Sequence, residues 1–279
     1  MNNTFQNWEL TILTTPTENM FDEIYGILSN YEYFCYTDSD DYLIMAPKDL
    51  TNCKVGLVAH IDTVSDTQKI YSDLSCPDLY CSCGYPCFDD RLGILMILRA
   101  IINDNLKCIT IFLNEEEVGC IGAIRLVEDF PELDDVFGAQ ADCLKCLIEV
   151  DRHGCNEVVF YDLDYPEFEH EFVAYSKNIS KAWTDIAVLG PMWNIAAANV
   201  SAGYYNEHTK NEHFFLNSFL DAEKRLADTI ARFHCSQRVN RYEYRGKSAT
   251  CCQLLMWYNY QEDETLPPFD LGEVVLSAN

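Results

Sequence analysis

The sequence predicts an α/β protein of three layers, αβα, around a mostly parallel central sheet. Two observations carry this expectation. Short runs of strand-forming residues alternate along the chain with stretches of helical spacing, the pattern of a parallel sheet covered by helices. Polar residues capable of chemistry follow directly after several apolar runs, where such sheets carry their sites. The chain has 279 residues, 48% of them hydrophobic and 13% aromatic. A single core of that size buries about 75% of the surface the unfolded chain exposes.

The elements follow in order. A first helix is expected over residues 15–29, where Thr15-Pro16-Thr17-Glu18 offers a start and Met20, Phe21, Ile24, Tyr25 and Leu28 keep helical spacing. Residues 42–46 (YLIMA) and 55–59 (VGLVA) read as strands. Residues 90–103, rich in Leu and Ile, read as a buried helix, 109–113 as a strand and 122–128 as a helix. Further strands are expected at 146–150, 158–161 and 196–200, and a long amphipathic helix over 211–233. After Arg238 the chain mixes charges, aromatics and Pro-Pro without periodicity. The predicted division is therefore a domain over residues 1–238 and a C-terminal extension, 239–279, packed on it.

Charge narrows the partners. There are 19 Lys and Arg against 45 Asp and Glu, a formal net charge of −26. Such a surface repels phosphate backbones and anionic lipid, which argues against nucleic acid and membrane as partners. The N-terminus, MNNTFQNWELTILTTPTENM, lacks a basic start followed by an apolar stretch. No run reaches the ~18 apolar residues of a spanning helix, so the cytoplasm is the expected location. Its fourteen cysteines should there be mostly reduced, many serving as small core residues, as Cys108 does in KCITIFLN. Cys76, Cys81, Cys83 and Cys87 cluster in CPDLYCSCGYPC and could hold a structural zinc, although the spacing matches no familiar knuckle or ribbon. Cys143 and Cys146 form a CxxC without a redox-type βαβ setting.

Chemistry concentrates at five places. His60-Ile61-Asp62 ends a strand; alternation puts His60 and Asp62 on one side, so Asp62 can accept from the second ring nitrogen of His60. Asp89-Asp90 opens a helix, where acidic residues complement the dipole or can ligate cations. Glu115, Glu116 and Glu117 follow a strand, and three adjacent carboxylates repel one another unless a cation sits among them. Asp151 stands after LIEV, and His208 follows the turn AGYYNE. Together they make the nitrogen and oxygen set that suits zinc, and accepts cobalt or manganese.

The segments VGLVAHIDTV, FDDRLG, NEEEVGCIGA, LIEVDRHG and GYYNEHTKNE resemble, in order, the five metal-site motifs of the co-catalytic dinuclear zinc exopeptidases. The likeness runs from about residue 20 to 235. It implies the zinc-exopeptidase (phosphorylase/hydrolase-like) fold and two Zn2+ per chain, with Co2+ or Mn2+ as substitutes. By the same resemblance His60 and Asp151 would hold one metal, Glu117 and His208 the other, and Asp89 would bridge both. Glu116 would be the general base and Asp62 would orient His60. Gly93, four positions after Asp89, favours Asp89 over Asp90 as the bridge.

The spacing from His60 to Asp89 is too short for the extra domain of tetrahedral aminopeptidases, and that from Asp151 to His208 too short for a deacylase lid. The compact, leucyl aminopeptidase-like type without a lid remains. Arg152 and His153 are candidates for binding a substrate carboxylate or oxyanion, and Asp185 resembles a site-facing aspartate of some relatives. Glu212 is expected to cap the following helix, and His170, His213 and His234 to lie at the surface. The expected activity is hydrolysis of an amide or peptide bond in a small peptide, aminopeptidase-like. The alternatives are a deacylase on N-acyl substrates and a metal-binding module without catalysis.

Overall fold

The computed structural model describes residues 5–65, 70–73, 75–82, 85–161, 166–179 and 184–235. The chain divides into two units, Met1–Gly246 and Lys247–Asn279. The second, and with it the predicted extension 239–279, lies outside the described residues.

The first unit opens with α1 (Asn7–Thr14) and, after a 3-10 turn at Thr17–Asn19, α2 (Met20–Ser29). The strands β1 (Tyr33–Asp38), β2 (Tyr42–Pro47), β3 (Val55–His60), β4 (Tyr71–Asp73) and β5 (Cys76–Cys81) follow. Then come α3 (Arg91–Ile102), β6 (Ile109–Leu113), α4 (Ile121–Asp129), α5 (Leu133–Phe137) and β7 (Cys146–Arg152). The last part holds β8 (Glu157–Val159), α6 (Pro166–Glu169), β9 (Ser176–Lys177), α7 (Ile186–Met192), β10 (Ala196–Ser201), β11 (Tyr204–Tyr205), β12 (His213–Phe215) and α8 (Leu216–Cys235).

Eight strands form one sheet in the order β1-β2-β6-β3-β7-β10-β8-β9. Its centre, β6-β3-β7-β10, is parallel, while β2 and β8 join it antiparallel on either side. Strands covered on both faces read as continuous apolar runs rather than alternating ones. Accordingly β3, β6 and β10 are buried from end to end. Each fully buried Leu, Ile or Val among them contributes about 1.5–3 kcal/mol. Right-handed crossovers decide the layers. The step from β3 to β6 runs one way along the sheet and puts α3 on one face. The steps from β6 to β7 and from β7 to β10 run the other way and put α4 and α7 on the opposite face. This is the three-layer αβα architecture expected. On the first face Arg99 of α3 ties the layer together, its guanidinium bonded to Glu9 of α1 and to Glu223 of α8. Both partners are carboxylates, and such charge-assisted contacts are the stronger kind.

A second sheet, β11-β12-β5-β4, is antiparallel throughout. Here the sequence expectation needs correction. The helix predicted over 211–233 begins only at Leu216, because His213–Phe215 pairs with Leu79–Cys81 of β5. Phe214 stacks on Tyr80 with ring centroids 4.8 Å apart, a cross-strand contact that outweighs local helical spacing. The helix expected at 15–29 is likewise shorter, running from Met20 after the 3-10 turn.

No cysteine among the described residues is in a disulfide, and neither of the groups able to hold a metal includes one. Cys76 and Cys81 begin and end β5, Cys87 is buried, and Cys83 lies outside the described residues. Cys143 ends a 3-10 segment and Cys146 begins β7. His170 is exposed, and His213 and His234 are half-buried. No helix among the described residues is long and apolar enough to cross a membrane.

Candidate metal centre

The parallel strands bring their carboxyl ends to one rim, and the candidate residues collect there. His60 is the last residue of β3, Asp151 lies near the end of β7, and Glu116 and Glu117 sit in the turn after β6. Asp89 comes from the segment before α3 and His208 from the loop between β11 and β12. Two groups of potential ligand atoms result, each with its atoms within 4.8 Å of one another: His60, Asp89 and Asp151, and Asp89, Glu117 and His208. Asp89 belongs to both.

The spacings fit divalent ions. His60 Nε2 lies 3.2 Å from Asp89 Oδ1 and 3.4 Å from Asp151 Oδ1. His208 Nε2 lies 3.1 Å from Asp89 Oδ2 and 3.0 Å from Glu117 Oε1. Ligand atoms about 2.0–2.1 Å from a tetrahedral zinc are separated by about 3.3–3.4 Å, close to these values. Two imidazoles and three carboxylates are also a donor set such ions accept.

The surroundings hold the donors in place. Asp62 Oδ1 lies 3.2 Å from His60 Nδ1, which fixes the ring and leaves Nε2 facing Asp89 and Asp151. The same Asp62 carboxylate accepts the backbone N–H of Glu116 at 3.0 Å and of Glu117 at 3.1 Å. It therefore links the end of β3 to the glutamate turn. Asp151 accepts hydrogen bonds from Tyr204 Oη at 3.0 Å and Thr184 Oγ1 at 3.2 Å, and its own N–H donates to Asn199 Oδ1 at 3.1 Å. Glu115, Cys120, Asn206 and His208 all take positive φ. Such strain in non-glycine residues costs of order 1–3 kcal/mol each and gathers at functional sites. Gly93 completes the close packing: a Cβ there would collide with Val150 O.

Asp90 is not in either group. Its side chain accepts the N–H of Gly93 at 3.0 Å and caps α3, the helix-start role the sequence left open for the pair. Glu212 does not cap α8, contrary to expectation; buried, it accepts the backbone N–H groups of Cys87 and Phe88. Arg152, 9% exposed, is engaged with Glu157 at 2.9 Å. His153 lies at the rim, 2.7 Å from Glu207. Asp185 is fully buried at the start of α7. Glu149, which sequence reasoning passed over, is also fully buried and accepts from Thr184. Two residues before Asp151 in one strand, it shares that residue's side of the sheet; the period of two was the available signal.

The electrostatics are those of crowded acids. Burial pushes Glu116 well above the ordinary glutamate range, and the charges of Asp151, Asp185 and Glu149 add to it. Burial and Asp89 raise Asp151 to about 6; burial, with Asp62 and Asp151, raises Asp185 to about 8. Burial also lifts Glu212 to about 7 against its hydrogen bonds. Asp89 goes the other way: against its burial, hydrogen bonds from His208 and His60 hold it below the usual carboxylate range. Hydrogen bonds to Asp89 and Glu117 push His208 up to about 11.

These shifts fix a pH dependence. For Asp151, Asp185 and Glu212 the folded-state pKa lies above the unfolded value. The native state then holds protons the unfolded chain has released. The stability each contributes is complete below about pH 4 and is lost as pH rises through about 6, 8 and 7 respectively. His208 acts in the same direction from neutral pH upward. Chelator-treated protein is therefore expected to lose stability steadily from pH 5 to 8. Urea unfolding at several pH values measures this, and a flat or rising profile contradicts it.

With the geometry in place, the known structures become informative. Aminopeptidase PepT from Bacillus cereus superposes with a TM-score of 0.60 at 12% identity, covering 81% of this chain and 97% of that one. The chain has the zinc-exopeptidase fold. A tripeptidase from Staphylococcus aureus gives a TM-score of 0.57 at 12% identity, covering 82% of this chain and 98% of that one. An aminopeptidase, APDkam598, from the archaeon Desulfurococcus kamchatkensis gives 0.54 at 12% identity, covering 87% and 97%. No protein-family model matches the sequence, and no curated protein matches it.

Proposed function

We propose that this protein is a metal-dependent hydrolase that cleaves the amide bond of small peptides from the amino end. The observation that carries this reading is the pair of donor groups sharing Asp89, with the half-buried Glu116 beside them. The fold supports it, since structures named as aminopeptidases and a tripeptidase have the same architecture.

In this reading His60 and Asp151 hold one metal, Glu117 and His208 the second, and Asp89 both. Zinc, or cobalt or manganese in its place, would supply a nucleophile at neutral pH and stabilise developing oxyanion charge. The chain's own residues do the rest. Glu116 accepts a proton from the attacking water and returns it to the leaving amine, and its raised pKa brings it closer to working pH. Asp62 orients His60 and, through its two backbone hydrogen bonds, aims Glu116. Burial, with the charge of Asp151 nearby, keeps the affinity of Glu116 for that proton high.

The site opens toward solvent beside His208, whose side chain is 51% exposed. A substrate carboxylate entering there meets His153, paired to Glu207, rather than Arg152, which Glu157 already occupies. Short, acid-poor peptides with a free amino group are the substrates this rim favours.

The test is hydrolysis of a panel of aminoacyl reporters beside their N-acetylated counterparts, on chelated protein and after addition of zinc or cobalt. Metal-dependent cleavage of the free-amino series alone is expected. Preference for the acetylated series would make the protein a deacylase. Stoichiometric metal binding with no amide turnover would make it a binding module.

A further inference from the structure

We propose that Glu212 is a positioning residue that sets the affinity of the second metal position by fastening the His208 loop to the Asp89 segment. The inference rests on the metal-site reading above and adds a residue to which that reading gives no part.

Glu212 is 1% exposed, an unusual place for a glutamate that has no ion pair among the described residues. Its Oε2 accepts the N–H of Phe88 at 2.8 Å and also that of Cys87. These are the two residues immediately before Asp89. Glu212 itself closes the His208 loop, its N–H donating to Thr209 O at 3.1 Å. Within that loop Thr209 Oγ1 donates to Asn206 O at 2.7 Å and accepts the N–H of Asn211 at 3.2 Å. The loop is thus a tight knot with one carboxylate reaching out of it. That carboxylate grips the chain one residue from the ligand shared by both groups.

Strain makes the anchor matter. His208 and Asn206 hold φ of 58° and 59°, conformations that side-chain-bearing residues keep only when their surroundings over-determine them. The 3.1 Å approach of His208 Nε2 to Asp89 Oδ2 joins these same two segments. Without the Glu212 anchor, the strained loop relaxes by turning His208 away from Asp89 and Glu117. The His60, Asp89 and Asp151 group does not use that loop, and the Asp90 cap on Gly93 still holds the Asp89 segment to α3, so that group stays in place. A carboxylate is suited to the task because, when ionised, it accepts backbone N–H bonds about twice as strong as those to a neutral acceptor. Glutamine is of equal size but lacks the charge.

The experiment is a titration of chelated protein with Co2+ alone, followed by calorimetry and the cobalt absorption bands, on wild type, Glu212→Gln and His208→Ala. Wild type is expected to show two classes of site, and His208→Ala to identify the second by removing it. In Glu212→Gln the second class should weaken about 10–100-fold, the usual scale for losing a group that orients a metal ligand, with the first within about threefold. Equal weakening of both classes, or of neither, overturns the proposal. A wild type that binds no cobalt overturns the metal-site reading instead. Amide exchange in unmutated, metal-free protein tests the anchor directly and needs no variant to fold. The N–H groups of Cys87 and Phe88 should exchange as slowly as those of β3, and exchange at loop rates would overturn the staple.

Discussion

Glu116→Gln is expected to lower turnover about 10²–10⁴-fold while leaving the metal content at the wild-type level. The two effects separate because Glu116 belongs to neither group of potential ligands. Its side chain lies beside Cys120, 3.9 Å from Sγ, and its backbone N–H is held by Asp62. Glutamine keeps the size and that backbone contact but cannot take up a proton. Burial and the neighbouring acids raise the proton affinity of Glu116, which makes its carboxylate a stronger base. The loss should fall on kcat, with KM changed little, because proton transfer occurs on the way to the transition state. Metal analysis beside steady-state kinetics on the best aminoacyl reporter checks both parts. Retained activity would remove Glu116 as the base. Loss of metal together with activity would make it a ligand.

What could be read in the sequence follows from what the fold does with each segment. The strands β3, β6, β7 and β10 were legible because burial on both faces demands unbroken apolar runs. Their polar successors His60, Glu116, Glu117 and Asp151 were legible because parallel strands end on one rim. The helix α1 was not. NWELTILT carries little amphipathic pattern, and Arg99 bonding to Glu9 helps fix it in place. The second sheet was hidden for a related reason. CPDLYC lies in the cysteine cluster considered for a structural zinc, and its partner strand β12 lies far along the chain. Glu212 was assigned to the nearest helix because sequence distance is visible, whereas its true partners, Cys87 and Phe88, are remote. Glu149 was passed over as one acid in an apolar strand. Only the register that sets it beside Thr184 and Asp151 gives it a place.

The pair Asp89 and Asp90 is where sequence left two readings and the geometry separates them by role. Asp89→Asn is expected to abolish activity and to reduce bound metal from about two per chain to fewer than one. It alone contributes to both groups, with Oδ1 toward His60 and Oδ2 toward His208. Removing its charge leaves each group two donors short of a four-coordinate site, and structural or catalytic zinc sites use three or four protein ligands. It also removes the acid that raises His208 most strongly, so that imidazole should titrate nearer its ordinary range. Asp151→Asn, which touches one group only, should retain about one metal. Asp90→Ala should do something different: lose the cap on Gly93, about 0.5–2 kcal/mol of stability, while still binding both metals. Metal content, imidazole titration by NMR and urea unfolding on the three variants read these outcomes separately. If Asp90 rather than Asp89 proves indispensable for both metals, the bridge is the helix-capping carboxylate, and the ligand groups must be redrawn around it.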